Sequence, residues 1–146
     1  MFRGSAPAKV DDKGRLKIPT DFRRVLKERF GAEVFVTSIH GDSALVYPLP
    51  VWEEIEARLA ALPSSNPTKR RFLQRINFFG QQGKQDAQGR VLLPQLLREK
   101  AGLVGEVVVS AQLDHLVVWG RDEIERRLEE EPFSEEDFLA LTEHGV

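Results

Sequence analysis

Two short stretches of this chain set an acid, a turn glycine and an arginine in the same order. Asp11-Asp12-Lys13-Gly14-Arg15-Leu16-Lys17-Ile18-Pro19 returns as Asp86-Ala87-Gln88-Gly89-Arg90-Val91-Leu92-Leu93-Pro94, an offset of 75 residues from Asp11 to Asp86. In each, the aspartate can bond forward to the backbone of a tight turn, and the glycine tolerates a positive φ. Asp11, Gly14, Asp86 and Gly89 are therefore read as turn-forming residues. The arginine that follows has other chemistry. The planar donor fork of Arg15 or Arg90 matches phosphate oxygens, or the N7/O6 edge of guanine. It also matches the motif's own aspartate, so an internal ion pair stays open as the alternative. A catalytic pairing of Asp11 with Asp86 is disfavoured, because each travels with an arginine and a turn glycine.

Other reactive groups are sparse. His40, His115 and His144 lie apart, and the first two do not align between the two stretches, so they are read as exposed turn residues rather than ligands. The chain has no cysteine, which removes disulfides, thiolate zinc sites and cysteine nucleophiles. No G-x-x-x-x-G-K-[ST] loop or G-x-S-x-G elbow occurs. The expectation is a protein that is not an enzyme, with no metal, no cofactor and no small-molecule substrate.

The repetition reaches beyond the motif, which makes it a statement about architecture. Glu33-Val34-Phe35-Val36-Thr37 matches Glu106-Val107-Val108-Val109-Ser110, and Leu45-Val46-Tyr47 matches Val117-Val118-Trp119. Trp52 to Leu59 resembles Arg121 to Leu128. The offset slides from 75 to 73, 72 and 69 along these blocks, as small loop deletions would leave it. The chain thus divides into repeat one with its following helix (residues 1–62), a linker and basic helix (63–80), and repeat two with C-terminal helices (81–146). A unit of about 70 residues buries only a marginal core alone, so the copies are expected to pack together or interdigitate.

Each copy supplies elements able to position its arginine. Ala8-Lys9-Val10 reads as a short strand leading into the turn. Arg15-Leu16-Lys17-Ile18 alternates polar and apolar, the mark of a half-buried strand with Leu16 and Ile18 inward and Arg15 and Lys17 outward. Thr20 is placed as the cap of a helix over residues 21–29, with Phe22, Val25 and Leu26 inward and Gly31 ending it. Residues 34–39 and 44–47 form a hairpin about His40-Gly41-Asp42-Ser43. A helix over 51–62 lines up Trp52, Ile55, Leu59 and Leu62. Asn66 and Pro67 start a further helix with Phe72, Ile76 and Phe79 on one face and Arg71 and Arg75 on another. Ser134 caps a last helix to Leu141, with Asp137 completing a capping box. The second copy departs at one outward site, where Leu92 stands in the place of Lys17.

Composition is that of a globular protein: 41% hydrophobic and 30% charged among 146 residues. Neither a signal peptide nor a membrane-spanning run is visible, so a cytoplasmic home is expected. The net charge of −2 conceals segregation. Residues 1–30 carry nine basic and four acidic groups, residues 69–90 six and one, and residues 121–146 three and ten. Both motifs thus lie in basic territory, which matters more to a polyanion than the total does. The acidic end alone would read as a solvated helical face.

The residues Met1-Phe2-Arg3-Gly4, Asp12-Lys13-Gly14-Arg15-Leu16, Pro19-Thr20, Tyr47-Pro48-Leu49-Pro50-Val51-Trp52 and Asn66-Pro67 resemble the MraZ family of the AbrB/SpoVT superfamily, over nearly the whole chain. The resemblance implies an α+β fold: tandem AbrB-like repeats forming an intramolecular swapped-hairpin β-barrel with flanking helices. It implies a DNA-binding transcriptional regulator, a repressor of the division and cell-wall gene cluster. Such a protein binds direct repeats in its own promoter as a ring-shaped homo-oligomer, associated with the nucleoid. The family's arginine maps onto Arg15 and Arg90. Lys13, Lys17, Lys9 and Arg3 are the accompanying candidates for contact with double-stranded DNA. Gln88 and Leu92 replace Lys13 and Lys17 in the second copy, so the first is expected to carry more of the contact. Two rivals rank lower: an antitoxin-like single barrel unit with a disordered toxin-binding tail, and a scaffold presenting its acidic C-terminal helices to a partner.

Overall fold

The computed structural model describes residues 1–146. Its elements run β1 (Ser5–Val10), β2 (Arg15–Lys17), α1 (Thr20–Arg29), β3 (Glu33–Thr37), β4 (Ala44–Pro48), α2 (Leu49–Ala60) and α3 (Pro67–Phe79) through the first copy. The second copy gives β5 (Gln81–Lys84), β6 (Arg90–Leu92), α4 (Gln95–Ala101), β7 (Gly105–Gln112), β8 (His115–Gly120), α5 (Arg121–Glu130) and α6 (Glu135–Thr142). The fold is α+β, and all eight strands belong to one antiparallel sheet.

Strand order is β5-β3-β4-β8-β7-β1-β2-β6. The sheet is a nearly closed barrel, because its end strands β5 and β6 are joined through the Asp86 turn, where the Asp86 amide donates to the Arg90 carbonyl at 3.0 Å. The order also displays the interlacing. β1 pairs with β7 of the other copy over six residues, Ser5↔Ser110 to Val10↔Gly105, but with its own β2 only at Val10↔Leu16. In the mirror relation, β5 pairs with β3, Glu33↔Lys84 to Val36↔Gln81. The remaining joints between the copies are β4 on β8 and β2 on β6, each a strand facing its own counterpart, while β3–β4 and β7–β8 are hairpins within one copy. One copy alone would leave the backbone groups of its first strand and its hairpin edge unpaired, which is why the unit does not stand by itself.

The core follows the same duplication. Leu16 and Val91, Ile18 and Leu93, Phe22 and Leu97, Val34 and Val107, and Val36 and Val109 are buried as counterpart pairs. Each such side chain contributes roughly 1.5–3 kcal/mol by leaving water. Phe2 closes one end, stacked on Phe30 with centroids 6.0 Å apart and set edge-on to Phe22 at the same distance.

Two local expectations need correction. Thr20 is the first residue of α1 rather than its cap; Pro19 is the N-cap and no side chain closes that end. The chain leaves β2 directly through Pro19, whose carbonyl already accepts from Arg23, so Thr20 is drawn into the first turn. His115 is not an exposed turn residue. It opens β8, half-buried and stacked on Tyr47 with centroids 4.2 Å apart, because the β7–β8 connection is tighter than the β3–β4 one and brings it into the ladder. The other caps hold: Asn66 accepts from the amides of Thr68 and Lys69, and Ser134 with Asp137 forms a reciprocal capping box.

Candidate nucleic-acid interface

Each D-x-x-G-R stretch folds into one hydrogen-bonded turn. The Asp11 carboxylate accepts from the amides of Lys13 (3.0 Å) and Arg15 (2.9 Å), and from Nε of Arg15 (2.8 Å). Asp86 does the same for Gln88 (2.9 Å), Arg90 (2.9 Å) and Nε of Arg90 (2.8 Å). The Arg15 amide, and then its side chain, hold the Asp11 carboxyl below its ordinary value, and Arg90 does the same to Asp86. A carboxylate that stays ionised and accepts three bonds is a firm anchor.

The internal ion pair left open by the sequence therefore exists, yet it uses only Nε. The terminal amino groups of both guanidiniums donate to nothing in the chain, and the side chains remain 33% and 27% exposed. Each arginine is thus aimed by its aspartate, with its outer donor edge presented to solvent.

The β2–β6 ladder brings both arginines onto one face. Arg15 faces Leu92, Leu16 faces Val91, and Lys17 faces Arg90. Leu16 and Val91 point to the core, so Arg15, Lys17, Arg90 and Leu92 point out. The arginines are diagonal neighbours, at a spacing of roughly 7–8 Å. Lys17 sits directly across from Arg90 without an ion pair of its own, an arrangement that costs stability between cross-strand neighbours. Lys13 is exposed at the turn tip. Lys9 is exposed on β1 with Glu106 as its register partner, so a carboxylate lies beside it. Arg3 precedes β1, at the far end of that strand from the turn, roughly 20 Å away at the usual strand rise. Arg15, Lys13, Lys17 and Arg90 form one cluster that Arg3 does not join.

Two arginines absent from the sequence reading complete the site. Arg98 of α4 lies over Gly14, where an added Cβ would sit 2.3 Å from its guanidinium carbon; its Nε donates to the Leu93 carbonyl at 3.0 Å. Arg23 of α1 lies over Gly89 in the same way, at 2.6 Å from an added Cβ, and donates to the Ala87 carbonyl at 2.8 Å. Each turn is thus covered by a helix arginine from the other copy. The two glycines are required by φ values of +82° and +76°, and their lack of a side chain also leaves room for these arginines to lie close. The cross-bracing continues in the backbone, where Ile18 donates to Gly89 and Leu93 donates to Gly14, both at 2.9 Å. A signal was available: Arg23 and Arg98 share the motif offset of 75.

No group of three histidine, cysteine, aspartate or glutamate side chains could hold a metal ion, and no helix is long and apolar enough to cross a membrane.

The family model described as "MraZ protein, putative antitoxin-like" matches residues 1–75 and 80–144, one stretch per copy. The chain is similar to the protein named Transcriptional regulator MraZ of Acidobacterium capsulatum, 47% identical over 146 residues and covering all of both chains. The protein of the same name from Koribacter versatilis is 46% identical over 147 residues, again covering all of both. That of Escherichia coli O127:H6 is 38% identical over 120 residues, 82% of this chain and 79% of its own.

Proposed function

The chain belongs to the MraZ family, and from that premise we propose that it is a sequence-specific DNA-binding transcriptional regulator, reading promoter DNA through the outer face of β2 and β6. The observation that carries this reading is the pinned pair. Asp11 and Asp86 hold Arg15 and Arg90 by Nε and leave two donor forks on one face, beside Lys17 and Lys13. A structural role would bury those forks or pair them with more carboxylate. A polyanion is what relieves the uncompensated charge of Lys17 across from Arg90.

The division of labour follows from the donors. Lys13 and Lys17 supply the salt-dependent attraction to phosphate. Arg15 and Arg90 read guanine, each bidentate contact being worth about 1–3 kcal/mol of discrimination. Pre-aimed guanidiniums lose little side-chain freedom on binding. One such face is small. A ring of subunits repeats it at a fixed angle, so neighbouring subunits engage direct repeats about one helical turn, roughly 10.5 base pairs, apart. Linked engagement raises the effective concentration of each further contact. The regulator is read as a repressor acting on its own promoter, at the head of the division and cell-wall gene cluster.

The test is fluorescence anisotropy with the DNA upstream of the protein's own gene, for wild type and Arg15→Ala, over a salt series. The expected result is tight, salt-dependent binding that the variant loses while keeping its far-UV circular dichroism. Binding no stronger than that to random DNA overturns the regulator reading, and normal binding by Arg15→Ala makes that arginine structural.

A further inference from the structure

The helical hairpins that follow β4 and β8 are counterparts, yet they have opposite character. In residues 58–79, which hold the end of α2 and all of α3, there are five basic groups (Arg58, Lys69, Arg70, Arg71, Arg75) and no acidic one. In residues 129–146, which hold the end of α5 and all of α6, there are seven acidic groups and no lysine or arginine.

Packing differs as sharply. α3 is seated on the barrel: Ile76 and Phe79 are buried, and the Thr37 hydroxyl donates to the Ile76 carbonyl at 2.6 Å. α6 touches nothing that covers it. Phe133 is 66% exposed, Phe138 58%, and Leu139 and Leu141 are exposed as well. A helix of eight residues is marginal in water without a packing partner, even with its capping box. Between α2 and α3 lies an open groove of about 500 Å³, floored by Ile55, Leu59, Leu62 and Phe72 and rimmed by Arg58 and Lys69.

From this complementarity we infer that α6 of one copy of this chain seats in the α2–α3 groove of a second copy. Phe138 and Leu141, one turn apart, enter the apolar floor. Glu135, one turn before Phe138, and Asp137, one turn before Leu141, flank that face and meet the basic rim. The geometry makes the contact heterologous. α2 packs on β3 and β4, and α5 on β7 and β8, so the groove and the helix that leads into α6 lie on opposite flanks of the β4–β8 seam. Each copy then offers one acceptor and one donor surface, and the contact repeats from copy to copy until the rotation closes it. This deepens the ring proposed above and rests on it, because it names the surfaces that would join the subunits.

The test is mass in solution by light scattering, with circular dichroism as the check on folding. Wild type is expected at a multiple of 16.6 kDa. Phe138→Asp is expected to fall to that single-chain mass, as is the groove variant Arg58→Glu/Lys69→Glu. The tail variant Glu135→Lys/Thr142→Lys, on the flanks of the Phe138 face and clear of the capping box, should also dissociate alone, and an equimolar mixture with the groove variant should regain the wild-type mass, since each altered surface then finds a complement. Variants that keep the wild-type mass, or a mixture that stays monomeric, overturn this interface and leave the ring standing. That outcome would also follow if α6 folds onto its own chain or serves another protein. A wild type that is a single chain at every concentration sinks the ring itself.

Discussion

Two pairs of regions descend from the duplication, and they differ in how closely their members match. The turns are near copies. Three hydrogen bonds of 3.0, 2.9 and 2.8 Å at Asp11 become 2.9, 2.9 and 2.8 Å at Asp86. Even the covering arginines, Arg23 and Arg98, occupy matching places. The hairpins α2–α3 and α5–α6 share a plan and little else: residues 58–79 are basic and α3 is seated, whereas residues 129–146 are acidic and α6 is uncovered. A surface that addresses a polyanion can be used twice in the same form. A surface that joins subunits head to tail must differ between its two ends, because like charge repels.

The arginines give the largest expected break in the likeness of the turns. Arg15→Ala should abolish specific DNA binding. Arg90→Ala should weaken it by a smaller factor, roughly tenfold for one lost guanine contact, because Lys13 beside Arg15 has only Gln88 as its counterpart. Anisotropy on the same promoter fragment measures both. A larger loss from Arg90→Ala would mean that the neighbour across the ladder, Lys17, matters more than the neighbours in sequence.

The glycines come next. Gly14→Ala and Gly89→Ala each place a Cβ against a helix arginine at a positive φ, and each should cost about 1–3 kcal/mol. Thermal melts should show both variants lowered by similar amounts. A harmless Gly14→Ala would show that the turn itself relaxes from its positive φ as well as that Arg98 swings aside.

A smaller effect of opposite sign is expected at Gln85. It stands where the first copy has Val10, and its side-chain oxygen is buried without a hydrogen-bond partner. Gln85→Val should stabilise the fold by about 1 kcal/mol, read as a raised midpoint in urea. An unchanged or lowered midpoint would mean that the amide is satisfied in solution.

The smallest effect concerns acid. The turn amides and arginines lower the Asp11 and Asp86 carboxyls. A lowered carboxyl adds stability above its unfolded value, and that stability is lost as pH falls through its folded value. The contribution is therefore constant at neutral pH and fades below about pH 4. Asp11→Asn and Asp86→Asn should each flatten the acid limb of a pH–stability curve equally. Unequal flattening would separate two turns whose hydrogen bonds are alike.

Much of this was legible in the residues themselves. Period-two alternation exposed Arg15 and Lys17 and buried Leu16 and Ile18, because strand side chains must alternate. The capping chemistry of Asn66 and Ser134 was local and held. Thr20 failed as a cap because a preceding proline fixed the entry into α1. His115 was misread because its burial depends on Tyr47, far away in sequence.

The chain by itself thus determined the duplication, the turn chemistry, the inward and outward faces of each strand and the segregation of charge. All of these depend on near neighbours or on type and spacing. Tertiary structure alone decided which strands pair across copies, that Arg15 and Arg90 share one face with Lys17 opposite Arg90, that Arg23 and Arg98 brace the turns, and that α6 lies uncovered. These depend on long-range register and on closing the barrel, where the backbone groups of one copy are satisfied only by the other.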